Sequence, residues 1–391
     1  MTRPTVRITG LGVLSAHGFG LTPLIDGLRA GRCPAQPAAD LGYPADPAPL
    51  ISKFPAGHYP PGERTCKQQL LDTVQQVIDA LHGDADVLTE ADCALVVGTG
   101  GFLFASGAEL FWRWNNPGAT AEPVTLRGPA WGANVIARHF GMRGPTFAVS
   151  TGCSSSANAL LTATEMLQRG HARRALVVGA EGVSAVTLAG FDALQLLDPA
   201  GCRPFDRDRS GLQLGEAVCA LLLDAGEPST SRAIIRGGAN VCDTHHLSGA
   251  SPDGAVMQAV MVEALAQARI DARAVVAIKA HGTGSIDSDR AEAAAIKAIF
   301  ADGFALATPV IGLKHYVGHT LGACGALETA AMIGCFEAGF LPATAGFTHA
   351  DPQLDLAPTG AAQPARSGCY LLNSFGFGGN YTSIVVELGA S

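Results

Sequence analysis

Charge is scarce in this 391-residue chain: Asp, Glu, Lys and Arg together make up 15% of it, against roughly 25% in an average soluble protein. Hydrophobic residues reach 48%, accompanied by 48 glycines. Such a chain buries a large core and packs some helices with almost no polar face. That excludes an intrinsically disordered protein, a coiled coil or a small disulfide-stapled module. The ten cysteines include no CxxC pair, so neither a zinc ribbon nor a redox dithiol is indicated, and dispersed single cysteines fit a reducing cytoplasm. Twenty-six basic residues against 34 acidic ones, a net charge of −8, argue against a dedicated nucleic-acid binder.

Several motifs are missing too. Gly10-Leu11-Gly12 has Ser15 where a dinucleotide fingerprint needs its third small residue, and Gly98-Thr99-Gly100 has Leu103 there. No P-loop and no GxSxG nucleophile elbow occurs. The uncharged stretch Ile8–Ile25 is broken by glycines and closes on no cleavage site, so it reads as a strand (Thr5–Ile8) and a turn rather than a signal peptide. The uncharged runs 93–108 and 367–386 carry Gly with Ser, Thr or Asn, and neither is a membrane span.

What is present is an α/β pattern in a chain longer than the usual single domain. Short β-rich runs at 93–97, 175–178, 219–223, 276–279 and 383–387 alternate with helical stretches at 68–82, 155–168, 256–268 and 290–300. Pro-rich segment 34–61 and segment 341–365 read as loops or cover elements. Two helices, Ser155–Leu167 and Gly322–Phe336, are apolar on nearly every face and must be enclosed by protein. Each follows a small-residue turn with reactive side chains, Ser150–Cys153 in one case and Lys314–Thr320 in the other. One enclosed helix per half suggests a duplicated α/β unit. Glu328 lies within the second helix, where an unpaired carboxylate costs several kcal/mol. It calls for a cation, and Lys314 is nearest by sequence; a surface Glu at a helix turn is the plainer alternative.

Cys153 falls where the strand Thr146–Ser150 turns into a helix, a position whose free amides and dipole stabilise a thiolate. A lone cysteine in an apolar chain is equally what an inert core residue looks like, which is the reading for Cys33, Cys93, Cys219, Cys335 and most others. His281, in His281-Gly282-Thr283-Gly284-Ser285, is delivered at a strand end, where active sites of α/β proteins gather, or caps the next element. His315 and His319 are four apart, but Tyr316 and Gly318 do not make a zinc motif, so no metal is expected. The loop Asn373–Gly379 has glycines that free backbone amides to form half of an oxyanion hole.

In combination, these segments resemble the elongating β-ketoacyl-acyl-carrier-protein synthases. The likeness runs through ITGLGVLSAHG (8–18), VSTGCSSSANAL (149–160), RPFDRDRSG (203–211), AHGTGSIDSDRAEA (280–293), LKHYVGHTLGACGALE (313–328) and NSFGFGGN (373–380). Initiating synthases (Cys-His-Asn) and thiolases (Cys-His-Cys) fit less well, because two histidines stand at the matching positions. The resemblance implies an α/β, thiolase-like five-layer αβαβα fold of two pseudo-duplicated halves, 1–229 carrying the Cys and 230–391 carrying both His and the GFGG loop. It implies that Cys153 takes the acyl chain as a thioester, and that His281 and His319 promote decarboxylation of malonyl carrier protein and stabilise the enolate. The Cys153 and Phe377 amides would hold the oxyanion. Phe377 would gate the site, Lys314 and Glu328 would be the supporting pair, and Thr283, Ser285, Phe375 and Gly378 would contact substrate or its phosphopantetheine arm. No cofactor is implied beyond that arm. The partner is an acyl carrier protein, and the assembly a homodimer or a heterodimer with a related subunit.

The departures are Gly215-Glu216-Ala217 for a GEG or GDG segment, Tyr381 for the usual Asn, and Ser285 for Thr. They mark a divergent member, suited to specialised polyketide or polyene assembly. The family's carrier is acidic, so this acidic chain needs a local basic patch. Arg64, Lys67, Arg203, Arg207 and Arg209 are candidates, unless they are solvated or paired with Asp206 and Asp208. Gly100–Ser106, Trp112 and Trp114 would line an acyl pocket or serve as core or dimer contacts. A non-condensing, chain-length-factor-like subunit and a cysteine hydrolase are the competing functions.

Overall fold

The computed structural model describes residues 3–38, 48–55, 63–80, 86–101, 128–226, 231–302, 305–306 and 308–389. Ten strands and the short Gly18–Phe19 form one continuous sheet: β1 (Val6–Ser15), β2 (Cys93–Gly98), β3 (Thr146–Val149), β4 (Arg174–Glu181), β5 (Ala217–Asp224), β6 (Ala233–Cys242), β7 (Val275–Lys279), β8 (Val310–Ile311), β9 (Gly368–Phe375) and β10 (Asn380–Leu388). Their spatial order is β8-β7-β9-β10-β6-β1-β5-β4-β2-β3. From the centre outwards, each half places its first, fifth, fourth, second and third strand in that order. The pairings also match, two antiparallel and then two parallel in either half. The halves are joined by three antiparallel residue pairs, Val6–Ile8 against Ala233–Ile235.

Alternation of side chains turns this sheet into five layers. Leu176 and Val178 of β4 pack outwards with Leu70 and Val74 of the helix Glu63–Ala80. Ala175 and Val177, one residue out of phase, face inwards. In the second half Ile278 and Val385 pack outwards on Met257, Val260 and Ile296 of the helices Ala255–Ala268 and Ile286–Phe300, while Ala277, Ile384 and Val386 face inwards. Between the inward faces lie α1 (Ser155–Gln168) and α2 (Cys324–Glu337). Residues Cys324 to Cys335 of α2 are all buried, as a helix without a polar face must be. Strands covered on both faces read as near-continuous apolar runs, as 93–97 and 175–178 do.

Strand β1 extends to Ser15, well past the expected Thr5–Ile8. A bulge between Ile8 and Gly10 accommodates the first glycine, and Gly12 packs so closely on the Thr73 carbonyl that no side chain fits. The glycines are sites of close approach inside a strand rather than its end. No helix among the described residues is long and apolar enough to cross a membrane.

Where α1 meets α2 is what builds the site. Gly325 presses on Ala157, leaving no space for a side chain, and the Ala326 amide donates to Ser156 Oγ at 3.0 Å. The N-termini of the two enclosed helices therefore lie side by side, and the reactive turns that precede them are brought together.

Candidate active site

Cys153 leaves β3 through Thr151 and Gly152, the latter at φ +61, a conformation that glycine adopts without strain. The Ser155 hydroxyl donates to the Gly152 carbonyl at 2.6 Å and accepts from the Thr151 amide at 2.9 Å, which fixes the turn. The thiol is buried among Val183, Leu188, Leu212, Leu214 and Leu321. Burial, with Cys324 nearby, pushes its pKa up to about 12, against a hydrogen bond from the Phe377 backbone amide and the attraction of Lys314, which lower it. Desolvation outweighs the pull of the helix N-terminus, so the Cys153 thiol is held above, not below, its ordinary value. The Gly376 backbone lies against the Cys153 and Ser154 amides, so the glycine turn runs across the nucleophile turn; it is shorter than the loop expected over Asn373–Gly379, because Asn373–Phe375 belong to β9.

His281 follows β7, and its amide and that of Gly282 donate to the Glu292 carboxylate at 2.8 and 2.9 Å. Asn373 Nδ2 adds a third donor at 3.1 Å. His319 is held by its own amide on the Gln213 carbonyl (2.6 Å) and its carbonyl on the Gly215 amide (3.0 Å). The two rings meet nearly at right angles, centroids 5.3 Å apart. Burial first, then the positive charge of Lys314, depresses both imidazoles well below their ordinary value of 6.5. Both are neutral.

Below them lies a buried ionic cluster. Lys314 Nζ contacts Glu328 Oε1 at 2.8 Å, the His281 carbonyl at 2.6 Å and His281 Nδ1 at 3.4 Å. Glu328 thus has the cation its burial demanded, and a second one: Lys279 Nζ, from the end of β7, reaches its other oxygen and the Asn373 carbonyl. Burial opposes charge on all three. The two ammoniums still hold Glu328 below the usual carboxylate range, and Glu328 holds Lys314 above the ordinary lysine value. Lys279, which also feels Lys314, is held below it.

A cavity of about 340 Å³ is lined by Cys153, His281, His319, Thr283, Ser285, Phe375 and Phe377 among others. Phe377 stands at its mouth, 37% exposed, with its ring stacked on Phe191 at 5.8 Å. The Thr283 and Ser285 hydroxyls are 2.9 Å apart, and the Phe375 ring is 5.8 Å from His281. Gly378 is not among the lining residues: its amide donates to the Leu247 carbonyl at 2.7 Å, and Gly376 and Gly379 line the space instead. Tyr381, standing where the family pattern has Asn, also lines it. His315 turns its Nδ1 to the Cys202 carbonyl at 2.7 Å and makes no pair with His319.

The basic candidates divide. Lys67 is exposed. Arg203 is bound to Asp198 at 3.1 Å and Arg207 to Asp208 at 3.3 Å, though Arg207 remains half exposed. Arg209 is no docking residue; it is buried between Asp351 and Asp289. The Arg64 side chain, Phe102–Ser106, Trp112 and Trp114 lie outside the described residues.

Models of the β-ketoacyl synthase N-terminal and C-terminal domains match residues 64–228 and 232–348. A Streptomyces halstedii protein that bears the name polyketide β-ketoacyl synthase 1 is 30% identical, over 97% of this chain and 97% of its own. The chain belongs to the β-ketoacyl synthase family. Like the family, it is an acyltransferase of the condensing type. Similar solved structures include the ishigamide ketosynthase/chain length factor (TM-score 0.91, 26% identity, 99% of this chain and 100% of that one). Another is a ketosynthase from Xenorhabdus doucetiae in complex with its chain length factor (TM-score 0.85, 26% identity, 99% and 98%). Sequence reasoning missed Lys279, Glu292 and Cys324 in this β-ketoacyl synthase. Lys279 left a signal, a lone charge in an otherwise apolar strand; Cys324 left none.

Proposed function

We propose that this β-ketoacyl synthase takes an acyl chain from an acyl carrier protein onto Cys153 and extends it with malonyl carrier protein. The observation that carries the reading is that Cys153, His281 and His319 face one cavity with both imidazoles neutral. In the first half-reaction the Cys153 sulfur attacks the acyl thioester and the carrier's thiol leaves with the Cys153 proton. The Cys153 and Phe377 amides stabilise the oxyanion, an effect worth about 3 kcal/mol per donor in such sites. In the second, malonyl carrier protein loses carbon dioxide and its electron pair moves towards the thioester oxygen. Neutral His281 and His319 meet that oxygen as hydrogen-bond donors. The enolate carbon then attacks the Cys153 thioester, giving a 3-oxoacyl carrier and the Cys153 thiolate, which takes a proton from water to return to the thiol.

Lys314 supports His281 from behind, and Glu328 with Lys279 holds Lys314 in place. Thr283, Ser285 and Phe375 contact the phosphopantetheine arm, and Phe377 opens and closes the mouth. These steps use this chain's side chains and phosphopantetheine-borne substrates, with no bound cofactor or metal. Lys67, Arg64 and the exposed face of Arg207 attract the acidic carrier. The enzyme works in the cytoplasm, a reading supported by ten cysteines with no disulfide among them. Departures such as Tyr381 in the cavity wall favour a specialised polyketide or polyene pathway.

Among the described residues, strand β3 ends the sheet, paired on one side only by β2, with Thr146, Phe147 and Ala148 exposed. An open, apolar edge of this kind is a template for another chain, and it supports a dimer, with a second copy or a related subunit. A chain-length-factor-like role is the alternative, and retention of Cys153 and both histidines speaks against it. Incubation of the protein alone with acyl and malonyl carrier proteins tests the reading. A 3-oxoacyl carrier is the expected product. Hydrolysis of the acyl carrier without a malonyl requirement would replace it with a thioesterase, and no turnover until a related subunit is added would favour the alternative.

A further inference from the structure

A neutral imidazole carries one N–H, and its tautomer decides which edge of the ring can donate. His281 Nδ1 faces the Lys314 ammonium at 3.4 Å; an ammonium only donates, so the ring proton is left on Nε2. His319 has a different group in that place. Its Nδ1 lies 3.1 Å from the sulfur of Cys324, the first residue of α2, and both residues are buried. The Thr320 hydroxyl is placed to donate to the same sulfur at 3.5 Å. Thr320 occupies one acceptor position of the sulfur, which leaves the thiol proton free to serve the ring nitrogen.

We infer that Cys324 is a positioning residue for His319: its thiol donates to Nδ1 and holds the ring as the Nε2–H tautomer. Two histidines on different supports, one an ammonium and one a thiol, then present the same kind of donor. The role in turnover rests on the condensing reading above; the tautomer does not. Burial pushes the Cys324 thiol up to about 11, so it keeps the proton it donates. The backbone keeps the geometry, because α2 is anchored one turn in by the Ala326 amide on Ser156 and by the close approach of Gly325 to Ala157. Cys153 and Cys324 thus have separate tasks: Cys153 lines the cavity, and Cys324 acts through His319.

The test is nitrogen-15 NMR of histidine-labelled protein together with kinetics of Cys324→Ala and Cys324→Ser, the His319 signal being assigned with His319→Gln. The parent should show His319 protonated on Nε2 and bare on Nδ1. Cys324→Ser should keep that pattern, since a hydroxyl donates as the thiol does, and Cys324→Ala should mix the tautomers. The kcat for decarboxylation of malonyl carrier protein should fall about fivefold to tenfold in Cys324→Ala with KM unchanged, the loss of one neutral hydrogen bond. Acylation of Cys153 should not change, and Cys324→Ser should recover most of the rate. A parent His319 protonated on Nδ1 overturns the inference. So does a Cys324→Ala protein with parental tautomer and kcat, or a loss that Cys324→Ser does not repair, which assigns Cys324 to packing alone. A parent that shows the expected tautomer but no decarboxylation refutes the condensing reading and leaves the positioning of His319 standing.

Discussion

The two halves of the molecule fold the same way and hold different reactive groups. In each, the third strand runs into a turn and then an enclosed helix: Thr146–Val149 leads to Cys153 and α1, Val310–Ile311 leads to His319 and α2. The turn after the second strand carries Thr99 in the first half and His281 in the second. The first half meets its reactive atom mainly with aliphatic side chains, whose burial of Cys153 favours the protonated thiol. The second surrounds its imidazoles with buried charge, Lys279, Lys314, Glu328 and Glu292. A duplicated fold therefore fixes where side chains converge, and the local dielectric and charge fix what each can do. On the proposed function, acyl transfer belongs to the first half and enolate formation to the second.

That division can be broken experimentally. Cys153→Ala should abolish condensation altogether yet leave decarboxylation of malonyl carrier protein, because the second half is intact; product analysis by mass spectrometry reads both. His281→Ala and His319→Ala should do the reverse. Decarboxylation should fall about 10²–10⁴-fold, while Cys153 still becomes acylated. If each substitution removed both half-reactions equally, the halves would not be separable.

Smaller effects sharpen the comparison. Glu328→Gln leaves two buried ammoniums without their shared carboxylate and should cost about 3–5 kcal/mol in urea unfolding. A buried apolar-site change such as Cys93→Ser should cost less. The histidines also make a pH signature. Both have folded pKa values below 6.5, so the unfolded chain binds more protons in the window from 6.5 downwards. Their contribution to stability is complete above 6.5 and is lost as pH falls below it, where unfolding releases the rings to protonate. The pH slope of the urea midpoint below 6.5 should flatten in the double variant His281→Gln with His319→Gln. The smallest effect is expected at the surface. Charge reversal at Arg64 and Lys67 should raise KM for the carrier in a salt-sensitive way with kcat unchanged.

Much of this was legible in the sequence because the physics behind it is strict. Strands buried on both faces must be apolar, enclosed helices must lack a polar side, and Glu328 in such a helix must find a cation. Spacing alone could not show that it finds two. Lys279 belongs to a strand that pairs with β9, and only that register brings it under Asn373 and Glu328. The environment of Cys153 was half legible for a related reason: the helix N-terminus is local and readable, whereas the desolvation that opposes it comes from Val183, Leu188, Leu212 and Leu214, distant in sequence. Gly10 and Gly12 misled because a bulge and a helix contact, rather than a turn, required them. Cys324 was indistinguishable from core until its sulfur was seen beside His319.

Peptide mass spectrometry of the cysteine 153 segment during turnover tests the central claim most directly. Acyl carrier protein alone should place one acyl group on Cys153, and malonyl carrier protein should then discharge it in step with formation of the 3-oxoacyl carrier. An adduct on another residue, or one on Cys153 that malonyl carrier protein leaves in place, would contradict the account.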